Sequence, residues 1–283
     1  MLNVLPMTLA QLKMNNGHTL VIFLFLMEFR NNMSSIIALN KVSTSSRPAI
    51  FIFPHADGSP RFFHFWAKLL PDYPLFGLTY PGRDHLLQAP APESLRTLAH
   101  QLAFEIHAHA ALKTSACVLL VGHSMGAWLA YETSILLKGC SQRIITVISG
   151  QNPPNLVPHS KLHQAPDEQL IADINRQNPA ARHIWEIPEL RSLFLPIIRM
   201  DYRLLETYQP SGKKVRELAV IYGKDDHEIC QEALPHWQQF SDYTHPDTPV
   251  DGGHFYLSAP NTQLPNLLHQ LAESLTAEQD ISC

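Results

Sequence analysis

Gly122-His-Ser-Met-Gly126 holds a serine between two glycines, each two positions away. The apolar run Cys117-Val-Leu-Leu-Val121 before it reads as a strand, and Ala127 to Lys138 after it as a helix stopped near Gly139. A serine in a tight strand-to-helix turn is strained and exposed, and glycines are required where neighbouring backbone passes close. At the start of the helix, amide N–H groups and the dipole stabilise an anion. The chemistry served is nucleophilic attack on an acyl carbon, with Ser124 as the nucleophile.

A serine hydroxyl needs a base, and the base needs a carboxylate to orient it. In this strand-turn-helix context they follow in the order Ser, Asp or Glu, His. With 16 histidines in the chain, residue type alone selects nothing. His254 is distinguished by its place in Asp251-Gly-Gly-His-Phe255, a loop just before a helix expected from Leu264 to Leu275. For the acid, Tyr222-Gly-Lys-Asp-Asp226 follows the strand Leu218–Tyr222; the G-x-x-D spacing favours Asp226, with Asp225 as the alternative. An oxyanion hole needs two backbone donors, and Met125 and Ala56 are the candidates, the latter in Phe53-Pro-His-Ala-Asp-Gly58. His55, beside that loop, is expected to position it or to serve structure. Trp128 and Tyr131 are expected to pack their helix. The pairs His107/His109 and His159/His163 have metal-like spacing with no carboxylate or cysteine partner nearby in sequence, so they read as solvated helix face or loop. No metal or cofactor is expected.

The elements that must hold these residues alternate. Ala49–Phe53, Leu75–Tyr80, Cys117–Val121, Ile144–Ile148 and Leu218–Tyr222 are short apolar runs, as strands buried on both faces require. Leu95, Leu98, Ala99, Leu102, Ala103, Ile106 and Ala110 form one stripe of an amphipathic helix. Strands alternating with helices imply βαβ crossovers and a mainly parallel α/β sheet. From about Gly150 to Tyr208 the alternation stops. Helical patterns over Asp167–Asn175 and Pro188–Tyr208 suggest an inserted helical lid over the carboxyl edge of the sheet.

Composition excludes several classes. The chain has 283 residues, 45% hydrophobic and 16% charged, with a formal net charge of -4 and no clustered basic face. That is ample for a core and disfavours nucleic-acid binding. The four cysteines, Cys117, Cys140, Cys230 and Cys283, form no C-x-x-C pair and read as free thiols in a reducing cytoplasm. Residues 1–47 stand apart as an extension. Its apolar run Leu20–Met27 is too short to span a bilayer and lacks the small residues of a cleavage site. Two explanations stay open: a membrane-touching or partner-binding extension, or a start assigned too early, with Met33 as the alternative. The expected organisation is therefore an extension over 1–47, an α/β domain over 48–275 with its lid at about 150–208, and a tail over 276–283.

Five segments together resemble a known family: Phe53-Pro-His-Ala-Asp-Gly-Ser59, Tyr80-Pro-Gly-Arg-Asp84, Gly122-His-Ser-Met-Gly-Ala127, Pro188-Glu-Leu…Arg199-Met-Asp201 and Gly252-Gly-His-Phe255. They are similar to those of the type II thioesterases, free-standing α/β-hydrolases that accompany non-ribosomal peptide and polyketide synthases. The resemblance covers about Pro48 to Leu275. It implies an α/β-hydrolase fold and hydrolysis of acyl or aminoacyl thioesters from the phosphopantetheine arm of carrier proteins, with Ser124, Asp226 and His254 as the triad. It implies a phosphopantetheinylated carrier protein as partner; a monomer in the cytoplasm without cofactor is expected. The family pattern Ala-Gly-Gly is here Ala56-Asp57-Gly58, a departure beside the oxyanion loop. A carboxylesterase or lipase acting on oxygen esters, and a catalytically silent scaffold, are the alternatives.

Overall fold

A computed structural model describes residues 34–42, 47–115, 117–157, 160–258 and 262–280. The run Leu20–Met27, Met33, His159 and Cys283 lie outside the described residues, as does the end of the expected tail.

Eight strands form one sheet: β1 (Ile36–Ala38), β2 (Ala49–Phe53), β3 (Leu75–Leu78), β4 (Cys117–His123), β5 (Arg143–Ser149), β6 (Val215–Gly223), β7 (Ser241–Thr244) and β8 (Thr248–Val250). The order is β1-β3-β2-β4-β5-β6-β7, with β8 on β6 beyond β7. Only β1 runs antiparallel, against β3. Among the described residues there are five longer helices: α1 (Leu95–Ala108), α2 (Met125–Leu137), α3 (Asp167–Gln177), α4 (Pro188–Glu206) and α5 (Leu264–Asp280).

Side-chain alternation along the strands builds two cores. Phe51, Phe53, Val118 and Leu120 point to one face, where they meet α1 and α2. Ile50, Ile52, Leu119, Val121, Ile145 and Val147 point to the other, against Phe63, Trp66 and Leu264, Leu268 and Ala272 of α5. Being buried on both faces is why these strands read as continuous apolar runs. Helix α1 starts where Ser94 Oγ accepts the N–H of Thr97 at 3.1 Å.

Register places the catalytic candidates. Phe53, Gly122, Ile148 and Val220 stand in one row across β2, β4, β5 and β6. The loops that follow these strands therefore open on the same sheet edge.

Most element ends differ from the sequence expectation by a few residues, and three differences have a clear structural basis. The folded domain starts before Pro48: Ile36–Ala38 pairs with β3, and Ser35 is tied to Glu105 of α1 through its N–H (2.7 Å) and its hydroxyl (2.8 Å). Helix α1 stops at Ala108, because His109 turns extended and caps the next short helix, accepting the N–H of Ala111 at 3.2 Å. Helix α5 continues to Asp280, into the stretch expected as tail.

Candidate active site

Ser124 sits between β4 and α2 with φ 53° and ψ −122°. This is a backbone region that L-residues enter only under constraint. The constraint is close packing of the two flanking glycines. A Cβ on Gly122 would lie 2.1 Å from the carbonyl oxygen of Gly126, and one on Gly126 would lie 2.0 Å from that of Phe53. The Ser124 N–H donates to Ser149 O at 2.9 Å, fixing the turn to β5.

Asp226 and His254 arrive on two loops stitched together by backbone. Lys224 N–H donates to Val250 O (2.8 Å) and Asp225 N–H to Gly252 O (3.0 Å). His254 Nδ1 lies 2.9 Å from Asp226 Oδ2. The other carboxylate oxygen accepts the N–H of Glu228 at 2.9 Å. A carboxylate only accepts, so this bond puts the imidazole proton on Nδ1 and leaves Nε2 with its lone pair. The structure thus brings Asp226 to the histidine; Asp225 is exposed. Ser124 and His254 line one cavity of about 30 Å³ together with His55, Ala56, Phe255 and residues of α3 and α4.

In the segment 54–58, Gly58 N–H donates to His55 O (3.1 Å) and Asp57 N–H to Asp201 Oδ2 (2.8 Å). Among the described residues no hydrogen bond is recorded for the N–H groups of Ala56 and Met125; Ala56 lines the cavity with Ser124, and Met125 follows Ser124 at the start of α2. Both N–H groups can receive an oxyanion.

What holds this loop was not visible in the sequence. Arg83 Nη2 donates to Asp201 Oδ1 at 2.6 Å, and its Nη1 donates to Gly58 O at 2.9 Å. Tyr80 Oη donates to Pro54 O at 2.9 Å. The Tyr80-Pro-Gly-Arg-Asp and Arg-Met-Asp201 segments, 118 residues apart at their ion pair, together form the clamp on the oxyanion loop. Both charged side chains are buried. Arg83→Met would strand the Asp201 carboxylate, and a destabilisation of about 3–5 kcal/mol is expected. It would be read as a fall in the urea midpoint, together with a loss of turnover. The double variant Arg83→Met/Asp201→Leu should regain part of the stability and none of the lost turnover.

Three imidazole rings converge here. His123 lies 4.9 Å from His254 and 6.0 Å from His55, centroid to centroid. His55 is held neutral, its pKa pushed down to about 3 by burial, then by His254 and Arg83. Burial, then His254 and His55, likewise drives His123 well below the usual range, and its Nδ1 meets Ser149 Oγ at 2.9 Å. His55 stacks edge-on against Phe62 and Phe255 and supports the loop. Such histidines contribute stability above their unfolded pKa near 6.5 that is lost as pH falls. Each adds a slope of up to about 1.4 kcal/mol per pH unit. Asp57 works oppositely, since its raised pKa gives stability that is lost as pH rises toward 7. His100 and His109 are shifted down like His55 and His123, and Asp247 is shifted up like Asp57; the histidines outnumber the aspartates, so stability should fall between pH 6.5 and 4. Urea midpoints across that range should fall less steeply in His55→Gln.

The remaining sequence candidates have structural roles. Trp128 is fully buried and donates to Asn152 O at 2.9 Å; Tyr131 is fully buried and donates to Lys213 O. His107 faces Cys140 Sγ at 3.4 Å, and His163 pairs with Glu206 of α4. Cys117, Cys140 and Cys230 are free thiols.

The helices between β5 and β6 form a small core of their own from Leu170, Ile174, Leu195, Ile198 and Tyr202. Ile174, Gln177, Asn178, Ile198 and Tyr202 roof the cavity over Ser124. Asp201 of α4 ties this roof to the oxyanion loop.

A serine on a strand-to-helix elbow at the carboxyl edge of a parallel sheet, with acid and histidine following on later loops in that order, defines an α/β-hydrolase. Comparison with known proteins narrows the class. The thioesterase domain family matches residues 48–275, and the chain belongs to that family. It is 32% identical over 226 residues to a probable cadicidin biosynthesis thioesterase of Streptomyces griseus, covering 77% of this chain and 61% of that protein, under two thirds of its length. It is 29% identical over 237 residues to the thioesterase PikA5 of Streptomyces venezuelae, covering 82% of each. Among solved structures, YbtT, a type II thioesterase from the yersiniabactin NRPS/PKS biosynthetic pathway, matches with a TM-score of 0.74 at 30% identity, covering 85% of this chain and 97% of that one. The type II thioesterase resemblance read from the motifs agrees with these relatives.

Proposed function

We propose that this protein hydrolyses acyl or aminoacyl thioesters carried on the phosphopantetheine arm of carrier proteins, clearing misprimed or stalled non-ribosomal peptide and polyketide synthases. Membership of the thioesterase family supports the reaction, and relatives named for such pathways support the partner. The observation that carries the mechanism is the Ser124 elbow sharing a cavity with a histidine oriented by Asp226.

Ser124 Oγ attacks the thioester carbonyl while His254 Nε2 takes its proton. The oxyanion settles on the N–H groups of Met125 and Ala56. The intermediate collapses with release of the arm's thiol, which takes the proton from His254 as it leaves. Water then attacks the acyl-serine, giving its proton to the same nitrogen; the second tetrahedral intermediate collapses as the bond to Ser124 Oγ breaks, His254 returns the proton to that oxygen, and the acid departs. Asp226 stays ionised and stabilises the imidazolium formed in each half-reaction. The cavity has room for only a water molecule or two. A shift of the roof formed by α3 and α4 would widen the cavity for an acyl group. On this reading the enzyme works in the cytoplasm as a monomer. Among the described residues no helix is long and apolar enough to cross a membrane.

Kinetics on matched pairs test the reaction class. N-acetylcysteamine thioesters should exceed nitrophenyl esters of equal chain length in kcat/KM, despite the better nitrophenolate leaving group. The reverse preference would make the protein an oxygen-ester hydrolase.

A further inference from the structure

Asp57 occupies the position where the similar family has the first glycine of Ala-Gly-Gly, and it holds a left-handed backbone with φ 60°. That conformation suits glycine, and Asp is among the few side-chain-bearing residues that tolerate it. The exchange adds a carboxylate to the wall of the catalytic cavity, alongside Ser124 and His254, with 35% of the side chain's surface open. Among the described residues no other one lining this cavity is acidic.

Among the described residues no cationic side chain bonds to that carboxylate. Arg83 donates to Asp201 and to Gly58 O and acts on Asp57 only through space. His55 Nε2 stands 3.5 Å from Asp57 Oδ1, but His55 is held neutral by burial. His254 is committed to Asp226. Gln177, Asn178 and Tyr202 are uncharged, and Ile174, Ile198 and Phe255 are apolar. In its ionised form this carboxylate opposes the oxyanion that must form on the neighbouring N–H of Ala56. A substrate that brings its own positive charge removes the conflict. In an aminoacyl thioester the α-amine sits one carbon from the reacting carbonyl, so a carboxylate one residue beyond the oxyanion donor is placed to meet it.

We infer that Asp57 is a specificity residue that receives the amine of the acyl group, selecting aminoacyl thioesters over simple acyl thioesters. The inference rests on the thioesterase reading above and narrows its substrate class. Burial, then Asp201, pushes the Asp57 carboxyl up to about 7, with Arg83 pulling the other way. A bound ammonium would draw it fully to the ionised form.

The test compares kcat/KM for alanyl and propionyl N-acetylcysteamine thioesters, and for leucyl and 4-methylpentanoyl ones, in wild type, Asp57→Asn and Asp57→Gly. Wild type should favour the amine-bearing member of each pair by about tenfold or more. Both variants should bring the ratio to within about threefold of unity, mostly through a higher KM for the aminoacyl substrates. Glycine is at ease at φ 60°, so the Asp57→Gly variant keeps the test independent of loop strain. A wild type with no amine preference, or a ratio unchanged in both variants, overturns the inference while leaving the thioesterase intact. A wild type inert on all four thioesters but active on nitrophenyl esters removes the thioesterase reading, and the inference with it.

Discussion

Ser124→Ala is expected to lower kcat by about 10⁵-fold or more, since the remaining groups cannot form an acyl-enzyme. The fold should survive. Alanine inherits the same strained backbone (φ 53°, ψ −122°) and loses only an oxygen. Ser124→Gly should be just as inactive and more stable than Ser124→Ala by about 1 kcal/mol, because glycine enters this region without the Cβ penalty. Single-turnover assays and thermal unfolding of both variants check the two halves of this expectation. An alanine variant retaining a tenth of wild-type turnover would remove Ser124 from the mechanism.

The second large effect separates two adjacent acids. Asp226→Asn should lower kcat by about 10⁴-fold: the amide can present an N–H to His254, favouring the tautomer whose Nε2 cannot take the serine proton. Asp225→Asn should stay within about twofold of wild type, because its side chain is exposed while its backbone N–H makes the bond to Gly252 O. Steady-state rates of the two variants at one pH suffice. Equal losses in both would mean that the carboxylate at 226 does not act through His254.

Local chemistry made parts of this site readable from sequence. Ser124 could be assigned because its glycines lie between an apolar run and a helical pattern, and His254 because glycines precede it at the right place in chain order. The parallel strands were legible for the same reason, burial on both faces leaving no polar alternation to confuse. The short edges were not. Ile36–Ala38, Ser241–Thr244 and Thr248–Val250 are three or four residues long and partly exposed, too short for a period to show. The Arg83–Asp201 clamp was hidden for a different reason. Each residue belongs to a recognisable segment, but only the folded chain shows that the two segments meet and grip Gly58 and Asp57. The neutral pair His55 and His123 was equally unreadable, since its character comes from burial beside His254 rather than from any spacing. Asp57 lay between these cases. Its departure from the family pattern was visible, and the place of its carboxylate on the cavity wall was not.

The most direct measurement for the central claim is intact-protein mass spectrometry of an acylated carrier protein incubated with wild type and with Ser124→Ala. The account predicts that wild type returns the carrier to its free-thiol mass and that the variant leaves it acylated. A carrier left acylated by both, across short and medium acyl and aminoacyl groups, while wild type still hydrolyses simple esters, would contradict it.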